Sequence, residues 1–425
     1  MDKAARKLRR LFIWPRETGR IDCLVARQDS LFRYDSGTGN WVDLYHYTDD
    51  MDADTFDFLK AKIGSTETLL VGNGLEPILK WPGGNGSVAL FGSAQQLSNK
   101  AVNFLELYFG RLFAAGDQEH PARLYWSQAP GDGRTIENWS ADESSENVSG
   151  GHVEVGTDSD PITGLFALSN QLLIFKKDKL YRLLGDRPAN YRIVPVEAAL
   201  TQPIHTACVR YGDRLFFLTD KGLYFYDGQT VSRTGHGADL LPLLAQVDFS
   251  AAASAACGDT LYFAVKEHST SVHNDLLIEY DLMRETFMVR RGFLAAGLCA
   301  ARGELYMLTG AGKIVKFDNS TDYDGDPIEA WWETPRIDLG TKQHKKVLGE
   351  LACTGSGDPM RITVRCDGQR YESTLLFPKH DDTVAESVLR GEGRVFRLRF
   401  ANMNGGAFTL DTGVTLRFDS EQRPD

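Results

Sequence analysis

The sequence predicts an all-β chain: a β-propeller of about seven blades followed by a C-terminal antiparallel β-sandwich-like domain. Three observations predict it. One short pattern returns about every 44 residues from Cys23 to Lys316, each copy pairs two apolar strands across a tight turn, and near Asp318 the pattern stops and a cleaner alternation begins. A period of 40 to 50 residues built from paired strands marks a propeller blade.

The clearest copy runs Tyr211-Gly212-Asp213-Arg214-Leu215-Phe216-Phe217 and then Leu223-Tyr224-Phe225-Tyr226-Asp227-Gly228. It returns as Cys257-Gly258-Asp259-Thr260-Leu261-Tyr262-Phe263 leading to Tyr280-Asp281, and as Arg302-Gly303-Glu304-Leu305-Tyr306-Met307 leading to Phe317-Asp318. Looser copies start at Leu24, Leu69, Leu112 and Leu172, so the intervals between anchor leucines are 45, 43, 60, 43, 46 and 44 residues. Seven copies predict about seven blades. Gly, Asp and Asn between the strands supply the positive φ angles of tight hairpins. Long helices are scarce, and residues 239–246 are the best candidate for two helical turns.

Residues 1–20 form a basic arm with seven Lys/Arg, either a solvated terminus or a segment that lies on a neighbouring subunit. Residues 21–320 are the propeller. The 60-residue interval places an insertion at about 135–160, with no Lys or Arg and seven carboxylates. A loop of that length is functional or disordered, and this one reads as a surface insertion that either contacts a partner subunit or is a solvated excursion. Residues 328–425 read as the second β-domain: in Arg361-Ile362-Thr363-Val364-Arg365, Phe396-Arg397-Leu398-Arg399-Phe400 and Val414-Thr415-Leu416-Arg417-Phe418, apolar residues share one face and charges the other.

A length of 425 residues predicts two or three domains, and 42% apolar content excludes wholesale disorder. The net charge of −11 argues against general nucleic-acid binding but is compatible with DNA sliding past an acidic lining. The basic start is followed by too short an apolar run for a signal peptide, and no apolar stretch is long enough to span a bilayer, which predicts a soluble protein made in a cytoplasm. Cys23, Cys208, Cys257, Cys299, Cys353 and Cys366 lack C-x-x-C spacing, and reduced thiols packed between blades account for them better than a disulfide or metal cluster.

Signatures of chemistry are sparse. No G-x-S-x-G, phosphate-binding loop or H-E-x-x-H occurs. His268 and His273 form the one close histidine pair, with no third ligand indicated. Asp318 to Asp326 superficially matches a calcium loop, yet its register is imperfect and no closing Glu follows, so it reads as a solvated connector. No catalytic residue, cofactor or metal is expected.

The middle of the chain carries a resemblance. Arg111-Leu112-Phe113-Ala114-Ala115-Gly116, Pro121-Ala122-Arg123-Leu124-Tyr125-Trp126-Ser127 and Glu137-Asn138-Trp139 begin it. Ile162-Thr163-Gly164-Leu165, Leu172 to Lys176, Leu180 to Gly185, Gly212 to Leu218 and Gly222 to Gly228 continue it. This block resembles β-propeller virion proteins of tailed bacteriophages, namely tail-tube or "nozzle" proteins of short-tailed phages and related DNA-stabilisation proteins, over roughly residues 65 to 320. The resemblance implies a structural virion protein with no enzymatic activity, made in the host cytoplasm and assembled as a ring, commonly a hexamer. Portal, adaptor or other tail proteins would be its partners. The ring would retain packaged DNA and guide its exit without sequence-specific binding and without entering a membrane. The chain is shorter than many nozzle proteins, which leaves its place in the tail open.

Opposite charges on the arm and the insertion make Lys3, Arg6, Lys7, Arg9 and Arg10 on one side, and Asp142, Glu143 and Glu146 on the other, the expected assembly contacts. Charge reversal at Arg6, Lys7, Arg9 and Arg10 is then expected to impair assembly. Two other readings remain: a propeller that binds a protein or glycan partner through its loops, and a glycan-active enzyme with carboxylates around the axis.

Overall fold

All seven anchor leucines, Leu24, Leu69, Leu112, Leu172, Leu215, Leu261 and Leu305, lie in the second strand of successive antiparallel sheets, and none is more than 3% exposed. The computed structural model describes residues 7–47, 53–92, 97, 100–142, 145–157, 160–196, 203–237, 239–317, 322–323, 325–340, 342–378, 384–411 and 413–420. The chain divides into two units, Met1–Phe317 and Asp318–Asp425. Among the described residues the first unit holds six four-stranded sheets and a final three-stranded one, each a meander of contiguous chain.

Their leading strands are Leu8–Pro15, Asp57–Ile63, Phe104–Tyr108, Ile162–Leu168, Cys208–Tyr211, Asp248–Cys257 and Ala295–Ala301. The second strands of the third and fourth sheets, Arg111–Ala115 and Gln171–Lys176, are buried at every position. A strand covered on both faces needs a continuous apolar run rather than alternation, and Leu-Phe-Ala-Ala and Leu-Leu-Ile-Phe are such runs. The turns ahead of second strands also follow sequence: Phe109 and Gly110, and Arg302 and Gly303, all have positive φ, as a two-residue hairpin of matching twist requires. The closing Tyr-Asp of the motif makes the next turn. Asp227 accepts from the Gln229 and Thr230 amides, and Asp281 from those of Met283 and Arg284. These amides hold both carboxyls below their ordinary range.

Residues 7–20 differ from the expected arm. Leu8–Pro15 is the leading strand of the first sheet, and Leu11, Ile13 and Trp14 are buried. It packs against the leading strand of the last sheet: the Ile13 amide donates to Cys299 Sγ at 3.3 Å, and a Cβ on Gly297 would stand 2.8 Å from the Leu11 nitrogen. Burial of this apolar run outweighs the solvation of its charged neighbours. The first and last sheets remain separate, with no strand shared between them.

The insertion also departs from a surface excursion. Ile136 and Trp139 are buried, and the chain returns as Gly151–Glu154, the outermost strand of the third sheet. The helical candidate at 239–246 shrinks to the single turn Leu241–Leu244. All six cysteines are free thiols, and burial with Cys299 and Asp22 nearby pushes the Cys23 thiol up to about 12.

In the second unit one antiparallel sheet comprises Trp331–Glu333, Phe396–Asn402, Met360–Cys366 and Gln369–Leu375. Another is built on the long strand Lys346–Gly357. Leu351, Ile362, Val364, Leu398 and Phe400 share one buried core, as alternation requires. Phe418 does not follow it and is 40% exposed. Of the Asp318 to Asp326 connector, residues 318–321 and 324 lie outside the described residues, and Asp322–Tyr323 pairs with Asp326–Pro327 as a short hairpin.

Candidate functional site at the leading strands

Among the described residues, the expected assembly contacts do not pair with one another within one copy of the chain. Lys3, Arg6 and Glu143 lie outside the described residues. Lys7 pairs with Gln28 through its backbone, its carbonyl accepting the Gln28 amide at 3.1 Å and its amide donating to Gln28 Oε1 at 2.8 Å. Arg9 pairs with Asp54, and Arg10 lies close enough to Asp57 and Cys299 to act on both electrostatically. Arg9 and Arg10 therefore belong to the leading-strand region, and reversing them tests folding before it tests assembly. In the acidic loop, Glu137 is taken by Lys80 at 2.7 Å and Glu154 by Arg123 at 2.5 Å. The Asp142 amide donates to Ser149 Oγ at 2.8 Å, and Glu146 is exposed.

The leading strands instead carry a buried polar network. Asp57 Oδ2 accepts the Leu105 amide at 2.8 Å, and its Oδ1 lies 3.4 Å from His205 Nε2. Glu106 Oε2 accepts the Ala167 amide at 3.0 Å and the Arg210 guanidinium at 2.9 Å, while its Oε1 accepts the Leu107 amide at 3.1 Å. These bonds tie the second sheet to the third, and the third to the fourth and fifth. Ser254 Oγ continues the series by donating to the Cys208 carbonyl at 2.8 Å, and Asn274 joins Ala251 to Ala295 at 2.7 and 3.1 Å. Phe12 and Phe58, 5.3 Å apart, bring the first sheet against the second.

The two carboxylates are driven in opposite directions. Burial pushes Glu106 above its ordinary range despite Arg210 and the two amides. Burial opposes charge on Asp57 as well, but His205 and the Leu105 amide hold it below its ordinary range. A split pair of this kind can serve as acid and base. Here every carboxylate oxygen is already engaged.

Beside the network lies a cleft of about 450 Å³, lined by Asp57, Asn103, Phe104, Gln118, Thr163 and His205. Glu106 is not among its lining residues, so the two carboxylates do not share this cleft. The His205 ring stacks on Phe166 at 4.7 Å and meets Phe104 at 5.1 Å. Its Nδ1 and Thr163 Oγ1 are buried without a hydrogen-bond partner among the described residues. The arrangement suits a latch between sheets that also walls one cleft. Sequence reading missed these residues because Asp57, Glu106 and the His205–Arg210 segment come from three separate sheets with no common motif.

The latch has a signed pH dependence. A carboxyl whose folded value is depressed stabilises the fold above its unfolded value and loses that contribution as pH falls toward the folded one. Asp57→Asn is therefore expected to cost stability at pH 7, with the gap to the parent chain closing below about pH 3.9. Urea unfolding of both chains from pH 7 to acid checks this; a gap independent of pH would remove Asp57 from the latch.

No family model matches the chain, and no curated protein does. Solved structures resemble it at low identity. The computationally designed Ika8 protein aligns at 10% identity and a TM-score of 0.44, over 74% of this chain and 97% of its own. PorZ, a bacterial surface component of the type-IX secretion system of Porphyromonas gingivalis, aligns at 12% identity and 0.46, over 74% of this chain and 37% of PorZ. BamB from Moraxella catarrhalis aligns at 12% identity and 0.43, over 73% of this chain and 84% of BamB.

Proposed function

We propose that this chain is a structural subunit of a tailed-phage virion: a seven-bladed propeller with a C-terminal β-sandwich, assembling as a ring of about six copies in the head-to-tail channel. The observation that carries this reading is how the phage-like block is used. Arg111, nearly without solvent exposure, donates to the carbonyls of Ser127 at 2.7 Å, Ser149 at 3.0 Å and Asn147. Ser127 Oγ accepts the Leu112 amide at 3.0 Å, and Tyr125 donates to Asp117 at 2.6 Å. The distinctive residues of the block are thus spent on holding strands and the 127–150 loop in register, as befits a building block.

A closed set of sheets also leaves few long edges to aggregate when many copies are presented side by side. Cyclic symmetry turns one heterologous contact into a finite annulus. Among the described candidate contacts, Lys7, Arg9, Arg10 and Asp142 are half-buried and Glu146 is exposed.

Negative-stain imaging of the purified chain, with its solution mass taken on the same sample, tests the reading. Rings of about six copies with an open centre are expected. A monomer at every concentration would overturn the ring and favour a propeller that binds a protein or glycan partner.

A further inference from the structure

The second unit carries a surface the ring reading does not use. In the sheet formed by Trp331–Glu333, Phe396–Asn402, Met360–Cys366 and Gln369–Leu375, residues alternate between the core and the outside. The outward positions of three adjacent strands place Arg370, Arg365 and Arg397 directly opposite one another. Arg361 and Arg399 stand on the same face, further along their strands. Like charges opposite one another across a sheet destabilise it, so five arginines on one face oppose the stability of the fold that presents them.

Compensation on that face is partial. Glu333 reaches Arg397 at 3.0 Å and Arg365 at 3.6 Å, and Glu372 pairs with Arg370. Arg361 has no carboxylate within ion-pair distance among the described residues. Arg365, Arg370 and Arg397 remain 47%, 59% and 39% exposed. The face adjoins a groove of about 810 Å³ that adds Arg336 and Lys342, with Asp338 and Asp367 on its wall. In a chain of net charge −11 this is a local reversal of sign.

We propose that this face docks the phosphate backbone of duplex DNA. Strands about 4.8 Å apart spread the three opposed guanidiniums over about 10 Å, a span that meets successive phosphates, and each guanidinium offers the forked donors that phosphate accepts. One face of the Trp331 ring, which is 53% exposed, is occupied by the Arg399 guanidinium at 4.1 Å. The surface therefore offers five guanidiniums against a single aromatic ring, which favours a duplex over a single strand. Binding is by backbone, independent of sequence, and does not require that the chain form a ring.

Anisotropy of a short labelled duplex, titrated with the full chain across a salt series, tests the proposal. Arg361→Gln/Arg365→Gln/Arg370→Gln is expected to weaken binding at least tenfold and to reduce the salt slope by about 2–3, near 0.9 for each phosphate that is no longer neutralised. A control that removes three exposed cations of the first unit, Arg187→Gln/Lys221→Gln/Arg284→Gln, is expected to bind as the parent does. Arg361→Gln alone, at a residue without an ion-pair partner among those described, guards against misfolding and is expected to lower the slope by about 1. Absence of duplex binding by the parent, or equal weakening in the control, overturns the proposal. So does tighter binding of a single strand than of the duplex. Failure of the triple variant to self-associate, without any DNA binding by the parent, would overturn it too and make the face a protein interface instead. A monomer that binds duplex through these arginines would overturn the ring and leave this proposal standing.

Discussion

Trp14→Ala is expected to destabilise the first unit by about 3–5 kcal/mol, the usual cost of truncating a fully buried large aromatic. Trp14 is 1% exposed, meets Trp81 edge-on at 6.1 Å, and lies beneath the Arg16 guanidinium at 3.9 Å. Its strand also bears on the last sheet through Ile13 and Leu11. The substitution therefore leaves a cavity in the first sheet and loosens the place where the chain's beginning meets the last sheet. Denaturant unfolding of the full chain measures it. A cost below about 1 kcal/mol, typical of a surface position, would return residues 8–15 to the status of a dispensable arm.

The second large effect is expected at Arg111. Arg111→Met keeps the aliphatic stem and removes every donor, leaving the Ser127, Asn147 and Ser149 carbonyls without their shared partner. Unpaired buried polar groups cost about 1–3 kcal/mol each. Burial already disfavours the Arg111 charge, so a neutral side chain recovers part of that cost and the net is expected near 2–3 kcal/mol. The specific readout is limited proteolysis, with cleavage within residues 127–150 rising well above the parent while the rest of the chain keeps its pattern. Unchanged cleavage there would mean that Ile136 and Trp139 alone hold the loop. Arg111→Lys is expected to resemble the methionine variant, because one ammonium cannot reproduce the planar fork.

The repeat is legible because it is local. Leu215-Phe216-Phe217 and Tyr226-Asp227-Gly228 specify their strand and turn through burial and backbone hydrogen bonds within a few residues, and the same logic recurs at Leu261 and Leu305. In the second unit, the alternation of Ile362 with Val364 and of Leu398 with Phe400 specifies the core face in the same way. Residues 8–15 depart from a basic arm because counting charge ignores the apolar side chains among the arginines: Leu11 and Ile13 bury on one face of the strand and Trp14 on the other. The acidic loop departs from a surface excursion because Ile136 and Trp139, few among its polar residues, suffice to pin it.

By itself, then, the sequence determined the repeated hairpins around the anchor leucines and the turns that close them, since each depends on neighbours within one hairpin, whereas the strands Leu8–Pro15 and Gly151–Glu154 needed the packing of whole sheets. Tertiary structure alone decided that Asp57 meets His205 and Leu105, that Glu106 meets Ala167 and Arg210, and that Arg370, Arg365 and Arg397 stand in one row. The physical reason is that these contacts join different sheets or different strands. Their geometry is set by how the sheets pack and by strand register, and no spacing along the chain encodes either.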